Sequence, residues 1–204
     1  MFTFEVKSEV VKALCNTRMT KPGRDDRNLS LCGMMAKKTG GFVTLCTTDR
    51  YVISRYELPG AWASTGDNGL GIVPQDLVDI MARGKRGLFY EVKVDSTADT
   101  SRVTITELPF IRTGDVHTYE STYTGYHTDF TRVMNQGKRL DEDACIFTPQ
   151  MMKVLKVGKE LFGPDTWCEI GQYEDGVYVV AHNPKDRADF VTHKLAPVLD
   201  SVRR

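Results

Sequence analysis

A pattern that this chain repeats limits its fold more than any other feature. Residues Gly71 to Glu107, GIVPQDLVDIMARGKRGLFYEVKVDSTADTSRVTITE, place a helix from Pro74 to about Arg83 ahead of a strand, a polar turn and a second strand. The same order returns about seventy-five residues later in FTPQMMKVLKVGKELFGPDTWCEIGQYEDGVYVVAH, where Pro149-Gln150 answers Pro74-Gln75. A looser copy opens the chain. There Phe2, Phe4 and Val6 alternate with Thr3, Glu5 and Lys7, the period of a strand with one buried face. Ser8 is placed as the N-cap of a helix running to about Arg18, with Val10, Val11 and Leu14 as an apolar stripe opposite Glu9, Lys12 and Asn16. Overlooking an internal repeat misreads a whole fold, so the three copies are the frame for everything else.

Between the copies the punctuation is legible. Met19 to Asn28 is a loop, and NLSLCGMMAKK, the Thr39-Gly40-Gly41 turn and FVTLCTTDRYVISRYEL form two or three antiparallel strands. Pro59 to Gly69 is a connection rich in Gly, Ser, Asn and Asp. Pro74 suits a first helical turn, and Gly84 or Gly87 ends that helix. LFYEVKVD and RVTITEL alternate as strands around STADTS. From Pro109 to Glu142 the pattern weakens into a long link, with Thr- and Tyr-rich strands over Thr118 to Phe130 that open a second domain. Glu174-Asp175-Gly176 marks a hairpin, Phe190 to Leu199 a last strand and Asp200 to Arg204 a frayed end. The expected division is 1–109 and a shorter 110–204, whose first half lacks a clear helix.

Composition enters through charge and cysteine. Lys plus Arg equals Asp plus Glu at 27 each, so no global field draws the molecule to nucleic acid or an anionic membrane. The charge is segregated instead. Lys7 to Arg27, Pro74 to Gly87 and Pro149 to Gly163 together carry +6, and the remainder of the chain −6. In the third helix Lys153, Lys156 and Lys159 cluster opposite Met151, Leu155, Gly158 and Phe162. Such a face suits DNA phosphates, whose contacts release counterions without reading sequence. A solvated helix face explains the lysines of any one helix equally well, and the helix dipole explains why the second helix has Asp76 and Asp79 first and Arg83, Lys85 and Arg86 last. Recurrence across three copies is what points to DNA. Five separated cysteines with no C-x-x-C pair fit free thiols in a reducing compartment. Without a signal-like start or a long apolar run, the chain reads as cytoplasmic and soluble.

The residues resemble one known family, the DNA sliding clamps: the bacterial beta-clamp type, the DNA polymerase III beta subunit, and its phage relatives. The match is carried by the FTFEV strand with the Ser8 to Arg18 helix, by Thr48-Asp49 after a hydrophobic strand in LCTTDRYVISRYEL, by VPQDLVDIMARG and by ACIFTPQMMKVLKVG. It covers roughly residues 1 to 108 and 143 to 199. The resemblance implies an α+β DNA-clamp (processivity) fold of repeated strand-helix-strands units, with antiparallel sheets and helices on one face. It implies a ring that encircles duplex DNA non-specifically and tethers a DNA polymerase and other partners through clamp-binding peptides, with a clamp loader among its partners. Family rings contain six domains, so a chain of two would form a homotrimer. The implied DNA-facing residues are Lys12, Arg18, Lys21, Arg24, Arg83, Arg86, Lys153, Lys156 and Lys159. Arg24 is equally read as a loop charge paired with Asp25 or Asp26. Peptide docking is assigned to Pro109 to Phe130 and the tail. Four helices are expected of a two-domain clamp and three are legible here, so the alternative is a clamp-fold interaction protein that forms no ring and binds or decoys a host replication partner.

Other motifs point to no enzyme and no cofactor. His117, His127, His182 and His193 are far apart and lack metal-ligand spacing. Asp25-Asp26 and Asp141-Glu142-Asp143 are loop carboxylates of the kind that cap and solvate turns. GDNGLG is a turn without the lysine of a phosphate loop. Trp62 covers a core edge or stands exposed as a contact, and Tyr119, Tyr123 and Tyr126 pack on strands or stack on bases.

Overall fold

The opening alternation does what its period dictates. In β1 (Phe2–Lys7), Phe2, Phe4 and Val6 are buried while Thr3, Glu5 and Lys7 are half-exposed, each large apolar side chain contributing about 1.5–3 kcal/mol on burial. The chain is described from a computed structural model that defines residues 1–21, 29–60, 62, 64–108, 116–134, 149–174 and 176–195. Arg24, Asp25, Asp26, the 109–115 and 135–148 segments with Asp141, Glu142, Asp143 and Cys145, Asp175 and the 196–204 tail lie outside the described residues.

Three units follow one another. The first is β1, α1 (Ser8–Leu14), a short α2 (Leu29–Cys32), β2 (Met34–Thr39), β3 (Phe42–Thr48) and β4 (Val52–Glu57). The second is β5 (Ser64–Gly66), β6 (Gly69–Val73), α3 (Gln75–Arg83), β7 (Phe89–Ser96), β8 (Thr100–Leu108) and β9 (Thr118–Thr124). After α4 (Phe130–Val133) the third has α5 (Pro149–Phe162), β10 (Trp167–Tyr173), β11 (Gly176–Asn183) and β12 (Asp186–Leu195).

Every strand pairing among the described residues is antiparallel, and the units interlock by exchanging the strands that lead into their helices, β1 and β6. β1 pairs with β7 of the second unit, and β6 pairs with β2 of the first. The result is a five-stranded sheet, β5-β1-β7-β8-β9, and a seven-stranded sheet, β10-β11-β12-β4-β3-β2-β6. The third unit joins the second sheet through β12 and β4, from Val191↔Tyr56 to Leu195↔Val52. One core is shared by the inner faces of both sheets with α1 and α3, including Phe4, Leu14, Leu45, Leu77, Met81, Tyr90 and Ile105. On the opposite face of the seven-stranded sheet, Met35, Cys46 and Ile72 pack under Tyr123 and Phe130.

Several expectations need correction. The first helix stops at Leu14 and tightens into a 3-10 turn over Cys15–Thr17. Lys7, not Ser8, occupies the cap position, and the Ser8 hydroxyl donates instead to the Gly84 carbonyl at 2.9 Å. Residues 29–32, read as strand, are helical, and the Pro59 to Gly69 connection contains β5, which pairs with β1. Thr118–Thr124 is a strand, as its Thr and Tyr content suggested, and pairs with β8 to extend the five-stranded sheet. Partner choice between distant strands leaves no local period, which is why these assignments miss. Trp62 covers a core edge by an edge-to-face contact on Phe89 at 5.6 Å, with Lys7 above both rings. Among the described residues no helix is long and apolar enough to cross a membrane.

Candidate nucleic-acid interface

The three long helices form one layer, with α1 in the middle touching α3 on one side and α5 on the other. Specific contacts fix this order. Besides the Ser8–Gly84 bond, the Gly87 N–H donates to Glu9 Oε1 at 2.8 Å, tying the start of α1 to the end of α3. A Cβ on Gly84 would fall 2.6 Å from Tyr90 Oη, so only glycine lets the helix end come this close. On the other side Asn16 Nδ2 donates to Glu160 Oε2 at 2.9 Å. Gly158 brings α5 close to β11, where an added Cβ would lie 2.7 Å from the Ala181 methyl.

The expected cations divide by environment. Lys12, Lys21, Arg83, Arg86, Lys153, Lys156 and Lys159 are exposed. Arg18 is not. It is buried, its Nη1 donates to the Cys32 carbonyl at 2.7 Å, and its Nη2 pairs with Asp79. Asp79 lies 61 residues away in sequence, so nothing local announced that this arginine turns inward. Lys153 pairs with Asp49, and Lys156 with Glu160 at 3.7 Å. Arg83 Nε donates to the Asp79 carbonyl of its own helix at 3.0 Å. Lys12, Lys21, Arg86 and Lys159 make no ion pair among the described residues. The Lys156–Glu160 pair, exposed and one helical turn apart, holds its lysine by only about 0.3–0.5 kcal/mol and leaves it able to exchange partners.

The layer is therefore graded in charge. α5 exposes Lys153, Lys156 and Lys159 against Glu160, whereas α1 exposes Lys12 beside a half-buried Glu9. α3 exposes Asp76 together with Arg83, seven residues apart and thus two turns along the same side. That spacing was legible and was missed, because acids first and bases last read as dipole compensation alone. In α5 the buried residues are Met151, Val154, Val157 and Gly158, with Leu155 and Phe162 only partly covered.

Thr48-Asp49 builds the turn between β3 and β4. Thr48 Oγ1 accepts from the Arg50 N–H at 3.2 Å, and Asp49 Oδ1 accepts from Tyr51 and Val52 at 3.1 and 3.0 Å, holding Arg50 at a φ of 81°. Asp49 Oδ2 is left to meet Lys153, so this turn also anchors α5. Nearby, a cleft of about 400 Å³ between the start of α3 and β9 is lined by Cys32, Gln75, Asp76, Asp79 and residues Ser121 to Thr124. Two carboxylates, Asp76 and the Arg18-paired Asp79, stand in its lining.

The histidines are structural where the structure places them deeply. His193 is buried with Nδ1 2.7 Å from Ser54 Oγ, and burial pushes its pKa down to about 3. His127 lies 3.0 Å from Ser101 Oγ and is also lowered by burial. Cys15 and Cys46 are raised by burial to about 11 and about 12, which removes thiolate reactivity. Of the three tyrosines, Tyr123 packs in the outer cluster and Tyr126 is exposed.

Comparison with known proteins bears on the fold. No protein-family model and no curated protein matches the chain. Solved structures do match. The DNA polymerase sliding clamp from Pseudomonas aeruginosa aligns at a TM-score of 0.53 and 15% identity, over 100% of this chain and 67% of that one. The DNA polymerase III beta subunit from Thermotoga maritima aligns at 0.57 and 11%, over 98% and 66%. The Bacillus subtilis sliding clamp aligns at 0.58 and 9%, over 96% and 64%. This chain has the sliding-clamp fold and spans about two thirds of the length of those clamps.

Proposed function

We propose that the chain is a clamp-type scaffold that holds duplex DNA without reading its sequence, with the α3–α1–α5 layer turned toward the phosphates, and tethers a DNA polymerase. The observation that carries this is the exposed lysine face of α5, set beside Lys12 in one helix layer. Lys12, Lys21, Arg83, Arg86, Lys153, Lys156 and Lys159 are the contacts in this reading; Arg18 holds the layer together from inside. The first domain consists of two units and extends through β9, and the third unit begins a second. Several copies close a ring, placed on DNA by a loader, and the cleft beside β9 takes a partner's peptide. The reading is tested by fluorescence anisotropy with a random-sequence duplex across a salt series. Lys153→Glu, Lys156→Glu and Lys159→Glu together should weaken binding and reduce the salt slope by about 2–3, at about 0.9 per lost phosphate contact. Unchanged affinity and slope would remove α5 from the interface.

A second reading is supported by the count of three units among the described residues, which leaves the third without a mate. In that reading the protein keeps the clamp fold, forms no ring and occupies a replication partner. A polymerase extension assay on primed DNA separates the two, since a ring lengthens products per binding event and a decoy shortens them.

A further inference from the structure

The two hairpin turns at the ends of β3 have the same length and are built from different residues. At one end the β2–β3 register runs to Thr39↔Phe42, and Gly40, at a φ of 59°, begins a two-residue loop. At the other end Thr48 pairs with Ile53 and the Asp49 N–H donates to the Val52 carbonyl at 3.3 Å, so Arg50 and Tyr51 form the loop. Arg50 takes the place that glycine holds in the first turn, at a φ of 81°. Among the described residues it is the one non-glycine residue with a positive φ. Short hairpin turns favour glycine there, because any larger side chain costs stability. Strain observed at such a position points to a use for the side chain that bears it.

The surroundings hold the turn in place and leave the arginine uncompensated. Asp49 is engaged twice, its Oδ1 by the Tyr51 and Val52 N–H groups and its Oδ2 by Lys153. The Asp49 charge is therefore balanced from α5, not by the neighbouring guanidinium. Arg50 is exposed, and it makes no ion pair and lies over no ring among the described residues. The position of the turn supplies the use. The Lys153–Asp49 pair sets it against the exposed lysine side of α5, and the Met19 N–H, donating to the Thr48 carbonyl at 3.0 Å, ties it to the chain that leaves α1. Arg50 thus stands beside Lys153 at the edge of the helix layer, where Lys153 already has a carboxylate partner. A guanidinium offers a planar fork of donors that matches a phosphate.

We propose that Arg50 is a further phosphate contact for duplex DNA, held out at the edge of the α1–α5 face by the strained β3–β4 turn. This rests on the reading of that face as a DNA surface and adds to it a residue that lies on no helix. Binding of a random-sequence duplex is followed by fluorescence anisotropy across a salt series, and urea unfolding is measured on the same variants. Arg50→Gly removes the charge and the strain together. It should lower the salt slope by about 0.9, one phosphate contact, and weaken binding several-fold while raising the urea midpoint. Arg50→Lys keeps the charge and should keep the slope. Arg102→Gln, on the side of β8 opposite the buried Val103 and Ile105, should leave the slope unchanged. An unchanged slope in Arg50→Gly, an equal loss of slope in Arg50→Lys, or a urea midpoint that falls in Arg50→Gly would overturn the proposal, the last by showing that the arginine serves the fold. The variant with Lys153→Glu, Lys156→Glu and Lys159→Glu separates this from the reading beneath it. If that variant binds more weakly and Arg50→Gly does not, the contact at Arg50 alone fails. If the wild type does not bind duplex, or neither variant alters binding, the DNA reading fails with it.

Discussion

The first two units and the third are built on the same local plan and end in different states. In the first two, β1 and β6 each cross to pair with the other unit, and the free side of β6 is sealed by Ser96 and Ser101. In the third, α5 and β10–β12 lean on the first unit through β4 and the core, while β10 keeps a bare side among the described residues. The comparison teaches that the repeated unit is not self-sufficient. Its second strand needs a neighbour that its own segment does not supply, and its stability depends on who provides one.

The largest expected effect probes the interlocked half. Phe4→Ala empties the centre of β1, fully buried between the units, and should cost about 3–5 kcal/mol in urea unfolding. Met151→Ala, equally buried but in the third unit, should cost about 2–5 kcal/mol while unfolding that unit ahead of the rest, seen as early exchange of β10–β12 amides. Coincident exchange of all three units would erase the distinction. Ser101→Ala should cost about 1–3 kcal/mol, because it strands the buried Ile72 N–H and removes the partner of His127. A change within about 0.5 kcal/mol would mean that β6 does not need its serine cap.

The smallest effect concerns the seam between the units. His193 of β12 and Ser54 of β4 meet in a buried network with Thr17 and Thr47, and His193 Nε2 has no partner there. The imidazole is kept neutral, with a folded pKa of about 3 against 6.5 unfolded. Between these values the unfolded chain binds more protons. Stability from this group is therefore complete above about pH 6.5 and declines as pH falls, by at most about 1.4 kcal/mol per pH unit. Urea midpoints at pH 7.5 and 5.5 for the wild type and His193→Gln check this, since the variant should lose much of the dependence.

Where a side chain's surroundings are set within a turn or two of chain, the sequence reading succeeds. The β7–β8 hairpin and the end of α3 at Gly84, one of the two glycines offered for it, follow from local spacing and dihedral preference. The exposed lysines of α5 were legible for the same reason, since 100° per residue sorts them without knowledge of the fold. Arg18 was not, because its placement depends on Asp79 and on the Cys32 carbonyl, which only the folded chain brings to it. The pairing of Lys153 with Asp49 across 104 residues is of the same kind.

By itself, then, the sequence determined the repeated helix-and-hairpin units, the apolar faces of their strands and the lysine face of α5, whereas α1 and α3 carry no positive surplus. These are short-range consequences of period and side-chain chemistry. The tertiary structure alone decided that β1 and β6 are exchanged between units, that β9 extends the first sheet and β12 the second, and that Arg18 turns inward. Backbone edges carry the same N–H and C=O groups whatever their sequence, so the choice among them rests on the cores that assembled around them.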